Sequence, residues 1–298
     1  MEAARMKESR TDRWFNVINY GILGLFFLTV LYPLVFIVSA SFSSGEAVVS
    51  GKVWLWPVNP SLAGYRAVLE HKLLWTSFGN SLVYTAVGTL INIVLTVMAA
   101  YPLSRKDLYG KNVIMILFVF TTMFSGGLIP NYLLVKDLGM LNTMWALIIP
   151  GAMSVFHVII TRTYFKSTLP DELLEAAQLD GCNDFKFVWK IVLPLSGPII
   201  AVITLYAAVN IWNQYFNAML YLKTPSKYPL QLVLRDILIQ NQVDETMLSN
   251  LAEQASREGL RALLKYSLII VSSLPLMIVY PFVQKHFVKG VMIGSLKG

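Results

Sequence analysis

Apolar stretches alternate with short polar segments along the whole chain. The apolar runs lie at about Trp14–Ser39, Asn80–Leu103, Val113–Val135, Met144–Phe165, Leu195–Leu222 and Leu263–Gln284. Each is close to or above the roughly 20 residues that a helix needs to cross the hydrocarbon core of a bilayer. The pattern therefore predicts an all-α integral membrane protein with six transmembrane helices, here spans 1 to 6. Pro33, Pro130, Pro150, Pro275 and Pro281 fall inside these runs. They predict kinks or helix ends, which membrane helices tolerate where neighbours or water satisfy the freed carbonyls.

Composition sharpens this picture. Of 298 residues, 56% are hydrophobic and only 14% charged, and the mean hydropathy is +0.59. A soluble domain carries about a quarter charged residues. The net charge of +7 raises nucleic acid as a partner, but the Lys and Arg are spread over short connections, which the positive-inside rule explains better. Cys182 is the only cysteine, and His71, His157 and His286 stand apart from one another. No intrachain disulfide is then available, and a metal site is not expected. His157 lies within an apolar run, where a hydrogen-bonded interior histidine is the plain reading. At the N-terminus a basic stretch precedes Trp14–Val38. That run is longer than the roughly 7–15 residues of a signal-peptide core, so it reads as a retained first span.

Charge in the connections gives an orientation. Arg5, Lys7, Arg10 and Arg13 precede span 1; Arg105, Lys106 and Lys111 lie between spans 2 and 3; Lys166, Lys186 and Lys190 follow span 4; Lys285, Lys289 and Lys297 follow span 6. The alternate loops are poorer in cations, apart from residues 223–262, where acidic residues offset them. Both termini and the loop between spans 4 and 5 are thus expected in the cytoplasm. The resulting organisation is a cytoplasmic arm (1–13), a six-helix domain (14–289) with extracytoplasmic loops at 40–79 and 223–262, a cytoplasmic loop at 166–194, and a cytoplasmic tail (290–298). Trp54, Trp56 and Trp75 in the first outer loop read either as interfacial anchors or as ligand contacts. The second outer loop shows helical spacing over 231–240 and 245–264, as a lid or a seat for another protein would.

The 166–194 loop has a definite local logic. Thr168 can cap a helix in which Asp171, Glu172 and Glu175 lie toward the positive end of the dipole. Ala176 and Ala177 are small enough to admit another surface. Gly181 supplies a positive-φ stop. Asn183 or Asp184 can then cap a second short helix, Phe185–Val192, ended before Pro194. That helix exposes Phe185, Phe187, Val188 and Trp189 between Lys186 and Lys190. Such a face needs burial, in a partner's groove, against the chain's own helix ends or in the headgroup layer.

The spacing of Glu175, Ala176, Ala177, Asp180, Gly181, Phe185, Ile191, Leu193 and Pro194 resembles the cytoplasmic "EAA" loop by which permease subunits of ATP-binding-cassette importers dock onto their ATPase. Asn80-Ser81, residues 99–105, residues 138–143, Trp212-Asn213 and the tail from Lys289 look like carbohydrate permeases of the maltose-transporter type. Cys182-Asn183, after the motif glycine, departs from many such permeases. The resemblance implies a heterodimer with a second homologous permease, two ATPase subunits, an extracytoplasmic solute-binding protein and a location in a bacterial cell membrane. It also implies that Glu175 to Gly181 sit in a cleft of the ATPase as a coupling helix, and that Gly294, Lys297 and Gly298 of the tail reach between the ATPases. ATP and Mg would be bound by the partner, since no Gly-x-x-x-x-Gly-Lys-Ser/Thr loop is present. No cofactor and no catalytic residue are expected in this chain.

Span 5 is the expected place for cargo. Asn210, Trp212, Asn213, Gln214, Tyr215 and Asn217 crowd amides and aromatics into an apolar run. Polar groups there are costly unless they face the bundle interior or a wet cavity. Amides beside flat rings suit sugar hydroxyls and pyranose faces; interhelical hydrogen bonding is the alternative. Importers of other solutes, or a secondary carrier or channel, are competing classes. A carrier would show buried ionisable groups for ion coupling, and spans 2, 3 and 5 contain none.

Overall fold

The computed structural model describes the backbone of residues 9–70, 72–243 and 251–295 and the side chains of residues 9–70, 72–237 and 258–281. Among these residues the chain is all helical. In order, the helices are α1 (Arg10–Ser41), α2 (Gly45–Val49), α3 (Ala63–Glu70), α4 (Lys72–Ser104), α5 (Lys111–Met123), α6 (Leu128–Asp137), α7 (Trp145–Ile148), α8 (Val155–Thr168), α9 (Asp171–Leu179), α10 (Asp184–Phe187), α11 (Leu193–Leu195), α12 (Gly197–Trp212), α13 (Phe216–Tyr221), α14 (Leu230–Val243) and α15 (Leu251–Ser295). The chain divides into two units, Met1–His71 with Gln240–Ser272, and Lys72–Ile239 with Ser273–Gly298.

In the first unit, α1 starts at a capping box. Ser9 Oγ accepts from the Asp12 N–H and the Ser9 N–H donates to Asp12, both at 3.1 Å. Its apolar flank stays exposed along the span. At its far end a set of serines ties down the following loop: Ser39 Oγ donates to Leu55 O at 2.6 Å, and Ser43 Oγ accepts from the Val58 N–H at 3.0 Å. Two glycines bring α2 against α15. A Cβ on Gly45 would lie 2.6 Å from Gly259 Cα, so only a bare backbone fits. Trp54 and Trp56 of this loop are exposed.

In the second unit, α4 packs against α8 and α12. At about 1.5 Å per residue it is far longer than the bilayer core is thick, and it begins at Lys72, eight positions before the expected Asn80. Its buried side carries Ser77, Ser81, Thr89, Asn92 and Thr96, a polar seam inside an apolar helix. Asn92 anchors the seam to the next layer, donating from Nδ2 to Ala152 O at 3.0 Å while its Oδ1 meets His157 Nδ1 at 2.9 Å. His157 is thus the interior, hydrogen-bonded histidine that its apolar setting implied. Gly88 lets α12 approach, since a Cβ there would stand 2.7 Å from Ile211 Cδ1.

Among the described residues three helices are long and apolar enough to cross a membrane unbroken: Arg10–Ser41, Lys72–Ser104 and Glu258–Pro281. Two bent pairs raise the number to five, Lys111–Met123 with Leu128–Asp137 (111°) and Asp184–Leu195 with Gly197–Trp212 (84°). The expected spans 3 and 5 are therefore interrupted. Span 3 breaks at Phe124–Gly127, where Gly127 has φ 85°. The bend at Ser196 falls at the expected start of span 5, and the interruption within it lies between Trp212, where α12 stops, and Phe216, where α13 restarts. Span 4 divides into α7 and the 14-residue α8 around Pro150 and Gly151. In the 223–262 segment, α14 and the start of α15 are helical as the spacing predicts.

One further device organises this unit. Asn142, at φ 58°, joins the turn before α7 to the segment after α13. Its Oδ1 accepts from the Lys223 and Thr224 N–H groups, both at 3.1 Å, and its Nδ2 donates to Thr224 Oγ1 at 2.9 Å. Its own N–H donates to Tyr221 O at 2.9 Å. Asn80 Nδ2 and Tyr84 Oη donate to carbonyls of Ser226 and Lys227 in the same segment.

Candidate functional site

The polar loop after α8 folds as two short helices hinged at a glycine. α9 begins at Asp171 with Pro170 in the capping position. Thr168 is not its N-cap, because α8 continues through Thr168; proline's fixed φ and missing N–H suit it to the helix start instead. Asp171 and Glu172 occupy the first turn, where the dipole favours them. α9 ends at Asp180, and Gly181 follows with φ 73°, the left-handed conformation that glycine adopts without strain. Asn183 then caps α10, its Oδ1 accepting from the Lys186 N–H at 2.9 Å.

The second helix differs from its expected form. Four residues of α-helix, Asp184–Phe187, lead into a π-helical turn, Val188–Val192, and the helix runs on through Pro194 to Leu195. The wider turn changes which side chains share a face. Phe187 is only 3% exposed, tilted against Tyr101 at 6.2 Å in the main core, and Val188 is half-buried. The expected exposed quartet is therefore a pair, Phe185 (88%) and Trp189 (74%).

Burial sorts the remaining loop residues into two roles. Ala177, Leu173 and Leu174 face inward and pack on the cluster that includes Phe165, Phe187 and Val192. Leu193 is half-buried on the same cluster, and Pro194 is exposed. Glu175, Ala176, Asp180 and Gly181 lie on the exposed side. Leu179 joins them at 90% exposure. The sequence reading missed Leu179, although an apolar residue out of phase with Leu173, Leu174 and Ala177 on a short helix is the signal for it. Glu175, Ala176, Leu179 and Phe185 thus form an apolar-centred outer surface on a rigidly backed loop.

Two ion pairs fix this loop to the α4–α5 connection. Arg105, just past α4, donates to Asp107 at 2.6 and 2.7 Å, to Tyr101 Oη at 3.0 Å and to Asp184 at 3.4 Å. The Asp107 hydrogen bond is the main reason that the Arg105 guanidinium holds its proton even more firmly than usual. The same bond depresses the Asp107 carboxyl below the ordinary carboxylate range. Lys106 pairs with Asp171 at the start of α9.

Span 5 presents a different surface from the expected one. Trp212 is 2% exposed and meets Phe78 edge-on at 5.8 Å, so it packs against α4. Its partner lies on α4, which periodicity within span 5 does not reveal. Asn213 lies beyond the helix, its side chain donating to Val209 O at 2.9 Å, and Gln214 reaches Leu147 O at 3.4 Å. Because α12 ends at Trp212, Asn213, Gln214 and Asn217 do not continue one helical face with Asn210. Asn210, Asn213 and Tyr215 are exposed, and Asn217 is half-buried. Tyr206 and Phe156, which the sequence reading did not single out, are exposed and meet edge-on at 6.1 Å, one turn along from Asn210. Among the described residues no cluster of His, Cys, Asp or Glu could hold a metal. Lys297 and Gly298 of the tail lie outside the described residues, and of Gly294 only the helical backbone is described.

Helices able to cross a membrane suit a transport protein, and comparisons with known proteins identify the class as a membrane permease. Residues 1–293 match the family of binding-protein-dependent transport system inner membrane components, and the chain belongs to that family. It is 42% identical over 288 residues to the polygalacturonan/rhamnogalacturonan transport system permease protein YtcP of Bacillus subtilis, covering 96% of this chain and 99% of that protein. It is 38% identical to the protein LplC of the same organism, over 100% and 99% of the two chains. A crystal structure of a bacterial ABC transporter involved in the import of the acidic polysaccharide alginate has a chain with TM-score 0.85 and 37% identity, covering 94% of this chain and 99% of that one.

Proposed function

We propose that this chain is the membrane-spanning permease subunit of an ATP-binding-cassette importer and forms half of the translocation pathway for a carbohydrate, an oligosaccharide. Full-length membership of the inner-membrane-component family carries this reading. The bent pair α5–α6 is read as span 3, α7 with α8 as span 4 and α12 with α13 as span 5 of a six-span domain at 14–289. Both termini and the 166–194 loop are cytoplasmic in this arrangement, and 40–79 and 223–262 lie outside. The cation-rich α4–α5 connection, tied to the loop by Arg105–Asp184 and Lys106–Asp171, supports that side for both.

Glu175, Ala176, Asp180 and Gly181 meet the ATPase, with Phe185 beside them; Ala177 and Leu193 hold the loop to its own core, and Pro194 leads into span 5. The tail residues Gly294, Lys297 and Gly298 reach the same partner. ATP and Mg belong to two ATPase subunits, and a second permease and a solute-binding protein complete the assembly in the cell membrane of a bacterium. The cargo passes the exposed Asn210, Asn213, Tyr206 and Phe156 surface. No Asp or Glu occurs in α4, α8 or α12, a setting compatible with a polyanionic sugar such as those in the names of two similar transporters.

Purifying the tagged chain tests the assembly: a second permease and an ATPase should come with it, and recovery as a functional homodimer would refute it. Glu175→Arg should abolish uptake while the complex stays in the membrane. Unchanged uptake would exclude the docking role.

A further inference from the structure

A cavity of about 430 Å³ lies beside the docking loop, where the ends of α4 and α8 meet the starts of α5 and α9. Its wall holds four cations, and two of them are already neutralised: Arg105 by Asp107 and Asp184, and Lys106 by Asp171. Lys111 donates to the Arg105 and Lys106 carbonyls at 2.9 and 3.1 Å. Among the described residues no ion pair holds it, Asp107 acting on it only at longer range, and one of its three N–H groups is unassigned. Lys166 has no hydrogen-bond or ionic partner among the described residues. One turn back on α8, Arg162 donates only from Nε, to Leu103 O at 2.8 Å.

Lys111, Arg162 and Lys166 therefore form a cluster of like charge. Burial, followed by repulsion from Arg162 and Lys111, holds the Lys166 ammonium below its ordinary range. Like charges at i and i+4 on a helix destabilise it. Glu172 is the one wall carboxylate without an ion pair, and the two unpaired wall cations, Lys111 and Lys166, outnumber it. Phe165, Leu169 and Leu174 give the wall an apolar part, beside the polar Ser104 and Tyr101. A bound anion with an apolar stem would relieve the repulsion and cover that wall.

We propose that this cavity binds the phosphate of an anionic phospholipid headgroup, with Lys111 and Lys166 as its principal cations and the apolar wall against its glycerol and upper acyl carbons. The proposal rests on α8 crossing the membrane and on no other part of the assembly. A zwitterionic headgroup would bring its own cation into the cluster, so the site discriminates by net charge.

Native mass spectrometry of the full-length protein, purified with whatever subunits accompany it, tests this. Phosphatidylglycerol and phosphatidylcholine of matched acyl chains are the probes. Phosphatidylglycerol should be retained preferentially. Lys111→Gln and Lys166→Gln should each weaken its retention about fivefold, from roughly 1 kcal/mol per interfacial lysine. The double variant should retain both lipids alike, and Lys136→Gln, on α6, should change nothing. Equal retention of the two lipids by the unaltered protein, or undiminished phosphatidylglycerol in the double variant, would overturn the site. Displacement of the lipid by millimolar inorganic phosphate would overturn its assignment to a lipid. The mass of the complex reports assembly independently, so a failed assembly and a failed lipid site are distinguishable.

Discussion

Asn142→Ala removes three side-chain hydrogen bonds and places alanine at φ 58°. Each bond contributes about 1 kcal/mol net, and the left-handed backbone costs an L-residue with an ordinary side chain about 1–2 kcal/mol. The whole change should therefore destabilise the second unit by about 4–5 kcal/mol, large for a single substitution. Two companion variants separate the causes. Asn142→Gly tolerates the backbone and loses only the side-chain bonds, so it should cost about 1–2 kcal/mol less than alanine. Asn142→Asp keeps the acceptor for Lys223 and Thr224 N–H and loses only the donor to Thr224, so it should cost about 1 kcal/mol. Thermal unfolding of the purified protein in detergent, followed by tryptophan fluorescence and by retention of a monodisperse species, should rank them Asp, Gly, Ala in rising damage. If all three stay within about 0.5 kcal/mol of the parent, the staple does not hold the segment. If glycine is as harmful as alanine, the backbone part of the reasoning is wrong.

Other consequences can be checked separately. Gly181→Val puts a β-branched residue at φ 73° and should reduce transport-coupled ATP hydrolysis more than Gly181→Asn does, as measured in proteoliposomes. Asn92→Val leaves the His157 ring nitrogen without its partner and should lower stability by about 1–3 kcal/mol in a detergent thermal melt, with His157→Phe in the same background recovering part of it. The Asp107 carboxyl is depressed in the folded state, so its contribution is complete above the unfolded carboxyl value, about 4, and is lost only as pH falls through the lower folded value. Coupled hydrolysis should accordingly show no step from pH 8 to pH 5 attributable to this pair, and a step that Asp107→Asn abolishes would contradict the sign.

Legibility in the sequence followed the range of each interaction. Gly181 and Asn183 were readable because a helix stop and a cap are decided within a few residues. Phe187 was misplaced because its burial depends on Tyr101, on another helix, which the loop's own periodicity does not contain. The burial of Trp212 was not readable because it depends on Phe78, on another helix. Asn142 stood in a recognisable segment, yet its partners at 221–224 are distant in the chain, so its role needed the fold. Spans 3 and 5 were hydrophobic enough to read as continuous; their breaks at Phe124–Gly127 and Asn213–Tyr215 come from local backbone geometry that hydropathy averages away.

The break between α5 and α6 has a consequence for how the protein is made. Around it Met123, Phe124 and Ile129 are exposed and the helical hydrogen-bond ladder is interrupted. Open backbone cannot persist against acyl chains, because nothing there replaces water as a partner. A newly inserted copy would carry that weakness until a neighbouring chain covers it.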